Sequence, residues 1–217
     1  MKRAMIFLTA IILCLGITAC GGQQAPENQA TTAPATTAAT TSAAPENPFG
    51  FDPNHPEDWN MGETDKWQKW LDWMTSKDLL ISGKDYSVED FDLVMSLKDA
   101  QKYFPSKPLS ETQKSNEEYG GFPTKKLTFD SLVLTFVQIG KGEPFTLSLI
   151  EITGGGYVTP RGLRVGDSAE KLYELYGIPE YVSKNKWTFV TEAGAYKIFH
   201  VIVVKGVVKK ILLNSIM

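Results

Sequence analysis

Thr159-Pro160-Arg161-Gly162-Leu163-Arg164-Val165-Gly166-Asp167-Ser168, followed by Tyr176-Gly177-Ile178-Pro179, is the stretch that decides the fold reading. Thr159-Pro160 opens a short helical turn with proline at its first position, where an N–H would be unpaired anyway. Leu163 and Val165 read as core plugs beneath a sheet. Gly166 lets the chain bend into an Asp167/Ser168 cap. The helix that follows has Glu170 in its first turn and Leu172, Leu175 and Tyr176 on its buried face. Gly177 fits the left-handed position after a helix, and Pro179 prevents continuation. Each residue has a cap, turn or core role, so the string is structural and not a catalytic motif.

After this helix, residues 187–191, 196–205 and 207–216 read as strands, with turns at Glu192-Ala193-Gly194 and Lys205-Gly206. Before it, residues 127–139 and 145–153 are rich in Thr, Val, Leu, Ile and Phe around Gly140-Lys141-Gly142-Glu143-Pro144, a hairpin signal. Gly154-Gly155-Gly156 breaks the second of these strands. Residues 109–126 are polar and read as a long loop. A further helix is predicted over 97–104, with Ser96 as N-cap, Asp99 at the third position and Pro105 as the stop.

The order from Ser96 onward is thus helix, strands, helix, strands. At an offset of 72, Ser96 maps to Ser168, Ala100 to Leu172, Tyr103 to Leu175, Phe104 to Tyr176 and Pro105 to Gly177; a one-residue slip pairs Pro108 with Pro179. The reading is an α+β domain over 96–217 in two helix-then-strands halves, 96–158 and 159–217, with helices packed on one face of an antiparallel sheet. Residues 49–95 form a Trp-rich helical segment ahead of it. There Thr64 and Asp65 start a helix to about Ser76, with Trp67, Trp70, Leu71 and Met74 on one apolar face and Trp73 toward its edge.

The beginning of the chain carries a second kind of information. Lys2 and Arg3 precede an uninterrupted apolar run that closes on Ile17-Thr18-Ala19-Cys20. The run is short for a spanning helix, which needs roughly 20 residues; small residues before a cleavage point suit a secretory signal. Residues 1–19 resemble a bacterial lipoprotein signal peptide with its lipobox. The resemblance implies a mature chain beginning at a multiply acylated (palmitate-bearing) Cys20, on the extracytoplasmic face of the cell membrane. Residues 20–48 are then a tether. From Gly21 to Pro48 they hold no aromatic residue and no aliphatic one larger than Ala, so they cannot offset their ordering entropy. Such a flexible tether has an end-to-end distance of roughly 30 Å.

The motif at 159–179 in turn resembles the "T-x-x-G-(I/L)-x-V-G-D-S … Y-G-x-P" pattern of small exported lipoproteins. These share the fold of β-lactamase inhibitory protein and of the SmpA/OmlA type of outer-membrane assembly lipoprotein. In the inhibitor-like members the resemblance implies a concave sheet face that grips another protein.

Composition narrows the function. Of 22 basic residues, Lys2 and Arg3 lie in the signal, leaving 20 against 25 acidic ones; that balance argues against nucleic acid and polybasic membrane docking. Both cysteines, Cys14 and Cys20, precede the domain, which excludes a disulfide framework, a thiol nucleophile and a Cys zinc site. His200 reads as a half-buried strand histidine and His55 as a solvated loop residue, too little for a Ser/His/Asp triad. Asp52, Asn54, Asp58, Asn60 and Glu63 fall near calcium-loop spacing, but Glu57 stands where glycine is needed and Pro56 replaces a ligand. Glu89, Asp90 and Asp92 lie too close together to face each other across a glycosidase cleft. The expectation is a non-enzymatic envelope lipoprotein, without cofactor or metal, that binds a protein or peptide through an exposed sheet face. The alternative is a binder of wall glycan or a small ligand using exposed aromatics, for which Trp73, Tyr119, Phe122 and Tyr157 are the candidates.

Overall fold

The structure is a computed structural model, and it describes residues 47–57, 59–61, 65–189 and 197–215. The signal at 1–19, Cys20, most of the tether, the Thr64 cap and the Glu192-Ala193-Gly194 turn lie outside the described residues.

Helix α1 (Trp67–Ser76) leads into a two-stranded hairpin, β1 (Ser87–Val88) and β2 (Phe91–Asp92). Then α2 (Leu97–Ala100) precedes β3 (Ser110–Ser115), β4 (Pro123–Thr128), β5 (Leu132–Val137) and β6 (Thr146–Ile152). Next α3 (Ala169–Tyr176) precedes β7 (Tyr181–Ser183), β8 (Lys186–Phe189), β9 (Lys197–Val204) and β10 (Val207–Ser215). β3 to β10 form one sheet in the order β3-β4-β5-β6-β10-β9-β8-β7, antiparallel throughout. The domain is α+β, with more sheet than helix.

The caps work as their chemistry dictates. Ser96 accepts from Asp99 N at 3.1 Å and Ser168 from Lys171 N at 3.3 Å, each satisfying a backbone donor that the helix leaves unpaired. Each cap serine also bridges the start of the last strand of its half, Ser96 to Thr146 and Ser168 to Val207. The flanking bonds match: Val94 N to Leu147 O and Gly166 N to Val208 O, Leu97 N to Phe145 O and Ala169 N to Gly206 O. Even the backbone agrees, since Val94 holds φ 73° where Gly166 holds φ 100°. Lys205-Gly206 turns β9 into β10 with both residues at positive φ, the two-residue hairpin geometry.

Three expectations are corrected. Residues 109–126 are not a loop. They hold the edge strand β3, exposed at every position, and most of β4. Ser-Glu-Thr-Gln-Lys-Ser carries no apolar residue because an edge has no second neighbour to bury one, and its charges discourage further strand addition. Residues 127–139 are not one strand: the chain reverses at Asp130-Ser131, closed by Phe129 N to Leu132 O at 2.8 Å. Helix α1 starts at Trp67 with no side-chain cap. β7 and the β1/β2 hairpin were not predicted; both are too short for periodicity to register.

The register sorts sheet residues into two faces. Leu127, Leu132, Leu134, Phe136, Ile150, Ile152, Val182, Trp187, Phe199, Val201, Ile211 and Leu213 share one face. They join one hydrophobic cluster with Trp70 and Met74 of α1, Ala100 of α2 and Leu172 and Tyr176 of α3. The Trp-rich segment belongs to the same core: Phe51 packs edge-on against Trp59 and Trp187. At the β7 edge, Val182 N donates to Trp59 O and Met61 N to Glu180 O, both at 2.7 Å, so residues 59–61 cover that edge.

Arg161 ties these parts together. Its Nε and Nη2 grip the Asp85 carboxylate at 2.7 and 2.8 Å. The same guanidinium reaches Leu80 O at 2.6 Å, Asp78 O at 2.9 Å and Leu175 O at 3.3 Å, so all five donors are used. Its Cζ lies over the Tyr176 ring, 5.1 Å from the centroid. Asp85 is buried and also accepts from Ser82 N and Ser82 Oγ.

Candidate functional site

The opposite face of the sheet holds Lys114, Thr124, Lys126, Thr135, Leu149, Glu151, Lys210, Leu212, Ile198, His200, Ile202, Thr188, Lys186 and Tyr181. They follow from the cross-strand pairs Lys126↔Thr135, Thr135↔Leu149, Glu151↔Leu212, Leu212↔His200 and His200↔Thr188. Leu149, Leu212, Ile198, Ile202 and Tyr181 are only half-buried. A strand apolar on both faces, as β9 is, thus has one face in the core and the other partly open to solvent.

The polar groups on this face are linked. Glu151 stands between two lysines, with Lys210 Nζ at 2.8 Å and Lys126 Nζ at 3.5 Å. Thr188 Oγ1 and His200 Nδ1 are 2.9 Å apart. Burial, with the Lys186 charge adding to it, pushes the His200 imidazole down to about 4. The unfolded chain takes up that proton near the ordinary 6.5, so the folded state loses stability as pH falls from 6.5 toward 4 and keeps it above 6.5. The ring is partly exposed and solvent screens it, so the expected loss from this residue is about 1–2 kcal/mol, read as a lower urea midpoint at pH 4.5 than at pH 7.5. In His200→Gln that part of the pH dependence should vanish; an unchanged pH profile would exclude it.

The connection between β3 and β4 folds over one end of the face. Asn116 caps a single 3₁₀ turn, Glu117–Tyr119, by accepting from Glu118 N at 3.1 Å, and Gly120 reverses the chain at φ 64°. Burial of Tyr119 raises its phenol above the ordinary value. Under it lies a cleft of about 210 Å³ lined by Thr112, Asn116, Thr124, Lys126, Thr135 and Glu151, among others.

The four candidate aromatics do not converge. Tyr119 borders this cleft, and Phe122, 36% exposed, ends the same connection. Trp73 sits on α1 with its ring edge-on to Phe49 at 5.9 Å, and is part of the packing rather than a free platform. Tyr157 lines a separate cleft of about 380 Å³ with Glu89, Pro105, Phe129 and Asp130. Burial, then those two carboxylates, raises its phenol. The wall of that cleft explains part of the glycine run: a Cβ on Gly154 would come within 2.5 Å of Ser131 Oγ. No groups of three or more His, Cys, Asp or Glu gather as metal ligands among the described residues. His55 pairs with Asp52 at 2.9 Å in a solvated loop, and Asp58 and Glu63 of the calcium-like pattern lie outside the description.

No family model, curated protein or solved structure matches this chain.

The residues that sequence reasoning missed are Lys126, Glu151, Lys210 and the Ile198/Ile202/Leu212 set. Their signal was present in part, because strict alternation places 198, 200, 202 and 204 on one side of a strand. What was absent was register. Glu151 and Lys210 are 59 residues apart, and only the β6–β10 pairing brings them together.

Proposed function

We propose that this chain is a non-enzymatic lipoprotein of the cell envelope, anchored by lipid on Cys20 and gripping a protein or peptide partner on the open face of its sheet. The observation that carries the reading is the row of half-buried aliphatic side chains on that face, beside the Lys126–Glu151–Lys210 cluster. Aliphatic groups left partly in water on a rigid sheet, with charged groups among them, suit a protein contact. In this reading the domain is two helix-then-four-strand repeats joined through β6 and β10, with the helices packed on the core face. The matching Ser96 and Ser168 bridges support the repeat, and the 159–179 motif supports kinship with small exported gripping lipoproteins. A wall-glycan ligand is the second reading, favoured by the hydroxyl-lined cleft beside Tyr119.

Photoreactive residues placed at Ile202 and Tyr181, with Lys84 and Glu174 as exposed controls, test the reading in living cells. Discrete protein adducts from the first pair alone are expected, in a membrane fraction that Cys20→Ser empties. Adducts of polysaccharide mass would favour the glycan, and none at the face positions would overturn the protein-binding reading.

A further inference from the structure

We infer that the open face selects an acidic polypeptide segment that also carries aliphatic side chains; this rests on the reading of that face as a protein-binding surface. The chain as a whole has a net charge of −3, but this face runs the other way. Lys114 on β3, Lys126 on β4, Lys210 on β10 and Lys186 on β8 all point to it, against Glu151 within the sheet and Glu118 on the bordering turn. Glu151 is already engaged by Lys126 and Lys210. Lys114 and Lys186 have no ion-pair partner among the described residues. Their charges are therefore available to an incoming carboxylate.

From β3 to β8 is six strand steps, about 29 Å at ~4.8 Å each. An extended segment of roughly nine residues covers that distance. The lysines alone would suit any polyanion. Between them, however, lie Leu149, Leu212 and Ile202, half-buried and in line for further burial. A phosphate polymer or a nucleic acid backbone offers nothing apolar to cover them, whereas a polypeptide with alternating acidic and aliphatic residues matches both features.

The test uses the full chain and fluorescein-labelled 12-residue peptides followed by anisotropy. One peptide carries Glu and Leu; its counterparts carry Lys or Gln in place of every Glu. Polyglutamate and phosphatidylglycerol vesicles serve as apolar-free and membrane polyanions. The Glu/Leu peptide is expected to bind saturably and to weaken as salt rises. In Lys114→Glu/Lys186→Glu it should weaken about tenfold or more. The melting temperature of that variant reports folding, since neither lysine has an ion-pair partner to lose among the described residues. Equal binding of the Lys or Gln peptide would overturn the charge selection. Polyglutamate or vesicles binding as tightly as the peptide would make the face a general polyanion surface and overturn the polypeptide assignment. Photo-adducts at Ile202 and Tyr181 that persist in cells after either outcome would leave the broader protein-binding reading standing, and their loss would remove it too.

Discussion

Replacing Arg161 with alanine is expected to cost about 3–5 kcal/mol of stability, the range for leaving one partner of a buried ion pair alone. For a domain of this size that is a fall in melting temperature on the order of 10 °C. The cause is the burial of Asp85, whose side chain is 3% exposed, and not the strength of the pair itself. With the guanidinium gone, that carboxylate keeps only the Ser82 backbone and hydroxyl donors. Three backbone carbonyls, of Asp78, Leu80 and Leu175, lose their donor as well. Arg161→Lys should recover little, because an ammonium has three donors and no planar fork. Arg161→Met with Asp85→Leu should recover part of the loss, since the stranded charge goes and the carbonyls remain unpaired. Residues 78–86 are held to the end of α3 by this side chain, so the alanine variant should also be cut there faster in limited proteolysis. Urea midpoints of the four chains settle the matter; a loss under about 1 kcal/mol in Arg161→Ala would mean that Asp85 is not buried against it.

Gly177→Ala is expected to cost about 3 kcal/mol, combining backbone strain and overpacking. Gly177 closes α3 at φ 71° and ψ −149°, a region essentially reserved for glycine and different from the left-handed helical cap that the sequence implied. A Cβ there would also meet Met74 Sδ at 2.7 Å and Leu79 Cδ1 at 2.9 Å. Both atoms are in the buried core, so neither can swing into solvent. Chemical denaturation of the variant measures the effect. A cost of a few tenths of a kcal/mol, typical of a tolerant turn, would show that the segment around α1 does not press on the end of α3.

These two positions show where sequence reasoning was sufficient and where it was not. Ser96 and Ser168 were legible as caps because a cap is decided by atoms within three residues. The same holds for the Lys205-Gly206 turn and for the apolar stripe of α3. The polar composition of β3 misled because an edge strand differs from a loop only in having a neighbour, and that neighbour is set by pairing. Tyr119, Phe122, Trp73 and Tyr157 share aromatic chemistry but lie in three places, because nothing local brings them together.

Arg161 has no role that its neighbours in sequence define. Its four partner residues lie between 14 and 83 residues away. By itself the chain determined the starts of α2 and α3 at Ser96 and Ser168, the β5–β6 and β9–β10 hairpins and the apolar periodicities that make a core, because these are short-range torsional and capping preferences. The tertiary structure decided which face of the sheet stays open, which lysines share it and why Arg161 and Gly177 must be what they are. Those outcomes depend on strand register and on contacts between distant segments, which exist only once the chain has collapsed around one core.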